Sequence, residues 1–157
     1  MSSNRLTNVR FALAYTVQAI RYTESALIFF RELTAFPFPP NPIKEQFYQD
    51  AIDSLTESYL AIKSLPFDTY LPSDPLFPNI PVAPEIQDNE LLINLSDNRI
   101  SLALNKTNES INNINQAALL SSKNDKLNGQ LLFIRLELEL ARESLFAGIN
   151  ASDFMMG

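Results

Sequence analysis

Apolar side chains recur at alternating steps of four and three in four stretches of this chain, separated by prolines or short polar runs. That spacing is one face of an α-helix. In the first stretch, about 4–35, the seam runs Val9, Leu13, Thr16, Ile20, Thr23, Leu27, Phe30 and Thr34. Phe11, Tyr15, Tyr22 and Phe29 lie beside the seam and widen it. The stretch stops at FPFPPNP, where four prolines in seven residues forbid a helix.

A second helix is expected over about 42–64, with Asn41 as N-cap and Pro42 in its first turn. Phe47, Tyr48, Ile52, Leu55, Tyr59 and Ile62 carry its stripe. A third spans about 88–121, capped by Asp88, along Ile93, Ile100, Leu104, Thr107, Ile111, Ile114 and Ala118. Its many asparagines are poor helix formers, so packing has to hold it. After the polar break SSKNDK comes a fourth, about 126–147, along Leu127, Leu131, Ile134, Leu138, Ala141 and Leu145. Gly148 followed by Ile149 reads as a C-terminal glycine stop, leaving a tail over 148–157.

Between the second and third helices, at 65–87, lies a segment of another kind. Prolines stand at 72, 75, 78, 81 and 84. Polyproline II has three residues per turn, so these prolines form one ridge, and Asp74, Phe77, Ile80, Ala83 and Ile86 form a mostly apolar second one. Such a rod extends about 37 Å from Pro72 to Pro84, long enough to run beside a helix. It predicts a strap that carries the chain from one end of a bundle to the other, with Phe77 and Ile80 turned inward. A peptide ligand for a proline-binding groove is the competing reading. The strap fits better, since no basic residue lies between Lys63 and Arg99 and the apolar ridge needs cover.

These elements predict an all-α fold, a single domain over 1–157. It is a four-helix bundle of two antiparallel hairpins, with a long polyproline-II-like crossover strap between its second and third helices. At the level of architecture this resembles ferritin-like bundles. The di-iron members of that class use Glu-x-x-His ligands, and this chain contains no histidine.

Composition narrows the functions further. The 157 residues carry a net charge of −6 and no cysteine, which excludes disulfides, thiolate chemistry and cysteine-held metals. An acidic chain with no Lys/Arg cluster is a poor binder of nucleic acid. No apolar run is long enough for a membrane span, and the first residues lack the apolar core of a secretory signal, so a cytoplasmic protein is expected. No phosphate loop or nucleophile motif occurs. Glu137, Glu139 and Glu143 share a helix with Arg135 and Arg142 in the manner of a solvated face. Glu24, inside the apolar run of the first helix, is a candidate buried acid, with a surface pair to Arg21 as the simpler reading.

The expected role is therefore non-enzymatic: a structural or adaptor protein that works through protein–protein contacts, by self-association or within a virion or cytosolic complex. No cofactor or metal is expected. Candidate interaction residues are Phe11, Tyr15, Tyr22, Phe29, Phe77, Ile80, Phe154 and Met155. The alternative is a small-molecule binder with an aromatic pocket between the first two helices.

Overall fold

The computed structural model describes residues 2–33, 41–67, 88–120 and 126–151. Among the described residues there are four α-helices and no strand: α1 (Ser2–Arg31), α2 (Pro42–Lys63), α3 (Asn89–Leu119) and α4 (Leu127–Asn150). The caps at the starts of α2 and α3 are as expected. Asn41 Oδ1 accepts the Lys44 amide at 3.1 Å, and Asp88 Oδ1 accepts the Glu90 amide at 3.0 Å. Each satisfies an amide that the first helical turn leaves without a partner.

The helices pack in the cyclic order α1, α2, α4, α3, and α1–α4 and α2–α3 are the diagonals of the bundle. Their directions follow from cross-helix contacts. Ser110 Oγ donates to Ala12 O at 2.9 Å and Ser96 Oγ to Ala26 O at 3.0 Å, so α3 runs antiparallel to α1. Arg31 meets Glu45 at 2.8 Å, and Lys44 Nζ donates to Gly148 O at 2.8 Å. These contacts make α1–α2 and α2–α4 antiparallel too. Both diagonal pairs are therefore parallel, and α2 ends where α3 does not begin, at the opposite end of the bundle.

The tightest register is in the α1–α3 pair. Going from Ala12 to Ala26 advances fourteen residues on α1, and going from Ser110 to Ser96 retreats fourteen on α3. The register is thus constant over two heptads. Ala19 and Ala103, both fully buried, occupy the matching position between them. Two rows of small residues therefore face each other, Ala12, Ala19 and Ala26 against Ser96, Ala103, Ser110 and Ala117. Only side chains this small let a serine hydroxyl on one helix reach a backbone carbonyl of the next, since interaxial distance is set by the side chains in the contact.

The buried hydroxyls are satisfied locally. Thr16, Thr23 and Thr107 each bond the carbonyl four residues back, to Ala12, Ala19 and Ala103, at 2.7, 2.8 and 2.8 Å. Thr16 and Ser110 also touch each other at 2.7 Å. Threonine can thus occupy an apolar seam without an orphaned polar group. Larger side chains fill the centre of the bundle, among them Leu13, Leu55, Ile100, Ile114, Ile134 and Leu138.

Two expectations need correction. Gly148 does not stop α4, which continues to Asn150, so a tail starting at 148 is wrong. Its reason for being glycine is close approach: a Cβ there would overlap the Tyr48 ring, with Cδ1 at 2.6 Å. Glu24 is exposed rather than buried, and no ion pair joins it to Arg21 among the described residues. The strap at 68–87, with Phe77 and Ile80, lies outside the described residues, as do Phe154 and Met155.

The close α1–α3 packing gives a directional prediction. Ala103→Leu adds apolar surface but no space, and should lower stability by about 1–3 kcal/mol in urea unfolding. A rise in the unfolding midpoint would show that the helices do not approach as closely as the serine bonds indicate.

Candidate functional site

The predicted aromatic residues divide between core and surface. Phe29 is buried, with the Arg99 guanidinium 5.9 Å from its ring centroid, so it presents no surface for a partner. Tyr22 is half-buried against the cluster around Tyr48 and Ile100. Phe11 and Tyr15 stack at a centroid distance of 6.0 Å on the flank of α1, and the Lys106 ammonium of α3 sits 5.2 Å from the Tyr15 ring. Phe30 and Tyr48 are core residues that fill the seam where α1 leads into α2. These aromatics are thus spread between the core and the flank of α1, where Phe11 is exposed.

One charged residue is built into that core. Lys44 is only 2% exposed, and its ammonium lies 5.4 Å from the Tyr48 ring centroid and 5.9 Å from that of Phe30. It donates to the carbonyl of Gly148 in the last turn of α4, where helical carbonyls lack amide partners and the macrodipole favours a cation. Lys44, Tyr48 and Gly148 form one lock: the ring requires the glycine, and the glycine's backbone receives the ammonium. This is a structural use of lysine that ties α2 to the end of α4.

Glu139 is partly exposed and lies 3.7 Å from Arg135 rather than pairing with Arg142, which reaches Asn108 on α3 at 3.4 Å. Among the described residues no group of three or more Asp, Glu, His or Cys could hold a metal ion. No described helix is long and apolar enough to cross a membrane.

What the sequence reading missed is the outer face of α4. Its inner seam runs Leu127, Leu131, Ile134, Leu138, Ala141, Leu145 and Gly148, all buried. A second seam of the same spacing, Gly129, Phe133, Leu136, Leu140, Glu143 and Ala147, faces away from the bundle. Phe133, Leu136 and Leu140 are 48%, 48% and 49% exposed, and Leu132 and Phe146 are similarly open beside them. A helix with apolar side chains all round is ordinarily buried. Here one side of α4 has no cover from any described helix. The signal was present as the run LLFIRLELEL, which departs from the alternation of a solvated helix.

Grooves flank this face on both sides. Between α2 and α4, Leu60, Ala61, Gly129 and Phe133 line an open groove of about 490 Å³ with Glu57 and Ser64 at its rim. Between α3 and α4, a smaller one of about 270 Å³ is lined by Ile114, Ala118, Leu131 and Leu132, with Arg135 beside it. A Cβ added at Gly129, which lines the first groove, would meet nothing within 4 Å. Comparison with family models, curated proteins and solved structures found no match to this chain.

The two glycines of α4 predict opposite outcomes for one substitution. Gly148→Ala should cost about 1–3 kcal/mol through overlap with Tyr48. Gly129→Ala should raise stability by a few tenths up to about 1 kcal/mol, because alanine is the better helix former in open space. Thermal or urea unfolding of both variants checks the pair, and equal effects would contradict the lock.

Proposed function

We propose that this chain is a non-enzymatic structural or adaptor protein that acts through protein–protein contacts. The observation that carries this reading is the outward seam of α4, where Phe133, Leu136 and Leu140, with Leu132 beside them, are exposed together, and Phe146 is exposed beyond Glu143. Scattered exposed apolar residues are normal on any protein, whereas a contiguous patch marks an interaction site. The patch sits on a rigid helix whose opposite face is wholly buried, so it can be presented without rearrangement.

The crossover strap belongs to the same proposal. The link between α2 and α3 has to reach from one end of the bundle to the other, and the apolar ridge of residues 74–86 supplies a segment that gains by lying on a helix. Burial on α1 supports a path over that helix rather than over α4. Ala14, Gln18 and Ser25 stand about 100° or more around α1 from the row that meets α3, and all three are buried although α1 packs on no helix but α2 and α3. The broad apolar girth of α1 is then internal cover, and the face of α4 remains the one for partners.

Two experiments test these statements. A photoreactive phenylalanine analogue at Phe133 should give a discrete protein adduct in cells expressing the chain, while the same analogue at exposed Asn112 on α3 should not. Adducts at neither position, or equally at both, would sink the adaptor reading. Replacing Phe77 and Ile80 together by serine should destabilise the fold by a few kcal/mol if the strap buries them, and an unchanged unfolding midpoint would mean that it does not.

A further inference from the structure

Resting on the reading of α4 as a contact surface, we infer the kind of partner it takes: an amphipathic helix of another protein, about five turns long, with lysine or arginine along the flank of its apolar seam that meets the α2 side. The spacing of the outer seam sets the secondary structure of the partner. Gly129, Phe133, Leu136, Leu140, Glu143 and Ala147 follow the four-three alternation by which one helix receives another as knobs into holes. From Gly129 to Ala147 the seam is about 27 Å long at 1.5 Å per residue. The groove beside Phe133 and the open space at Gly129, which has no side chain, leave room for a large apolar residue near one end.

The charges around the seam set the partner's chemistry. On the α2 side, Glu57 rims the groove, Asp50 repeats its position one heptad earlier, and Glu137 lies on α4 itself. Glu143 interrupts the seam and Glu139 flanks it on the α3 side. The cations on this helix, Arg135 and Arg142, both lie on the α3 side, where Arg135 faces Glu139 and Arg142 reaches Asn108. Lys63 and Lys126 stand at one end of the bundle. The α2 side of the seam is therefore acidic along its middle.

An antiparallel second copy fits this face poorly. A two-fold contact of that orientation, centred near Leu138, places each flank of the helix against the same flank of its mate. Glu137 would meet Glu137, Glu139 would meet Glu139, and the rims carrying Asp50 and Glu57 would approach each other. Like charges juxtaposed across an interface oppose binding, whereas lysines at the flanking positions of a partner helix would pair with these acids.

The test uses two synthetic 21-residue peptides, each with leucine at the a and d positions of three heptads, one with lysine and one with glutamate at e and g. Fluorescence anisotropy against the full chain should show the lysine peptide binding at least about ten-fold tighter, a difference of about 1.4 kcal/mol. Leu136→Ser with Leu140→Ser should weaken it at least as much, and Glu57→Lys with Glu137→Lys should reverse the preference between the peptides. Circular dichroism and the unfolding midpoint of each variant, both expected to match the parent, exclude loss of fold. No binding, equal affinity for both peptides, or binding that the serine variant leaves unchanged would overturn the inference. Light scattering separates this from the broader reading. A dimer of the parent chain that the serine variant abolishes would assign the face to a second copy, overturning the inference while supporting contact through α4.

Discussion

The close approach of α1 and α3 is the constraint on which the remaining packing depends. Rows of alanine and serine bring two backbones near enough for Ser96 and Ser110 to bond carbonyls on α1, and those bonds admit one register only. A shift by one residue would put Leu13 or Leu27 into the small-residue row. With α1 and α3 held in place, the larger residues of all four helices have a defined centre to fill. Their heptad spacing keeps each seam turned inward over the full length.

At the end of the bundle where α2 starts and α4 finishes, a different device does the same task. Lys44 carries a charge into the core, which is costly unless partners receive it. The last-turn carbonyl of Gly148 and the faces of Tyr48 and Phe30 are those partners. The same glycine gives Tyr48 the space it needs, so one residue serves both sides of the contact. Together the serine rows and the lysine lock tie both hairpins into a single register. This holds α4 by its inner seam and leaves its outer seam exposed.

Much of the helical layout was legible along the chain. Four–three spacing located all four helices, and Asn41 and Asp88 marked two starts because N-cap chemistry is local. The parallel relation of α2 and α3 followed from the length of the segment between them. The surface was read less well. Phe29 looked like a candidate contact and is buried, since its neighbours on α3 cannot be known from one helix. Gly148 looked like a stop because its sequence surroundings match one, yet its conformation is helical and its neighbour is Tyr48, one hundred residues away.

The sequence by itself determined helix positions, caps and the inward seams, because periodicity and capping are properties of a few neighbouring residues. Only the tertiary structure decided which apolar faces are covered. Both α1 and α4 are apolar beyond a single seam, and in isolation each could serve as the contact surface. Burial of Ala14, Gln18 and Ser25 beside exposure of Phe133, Leu136 and Leu140 separates them. Which faces are covered depends on packing between elements far apart along the chain, and no local pattern encodes that packing.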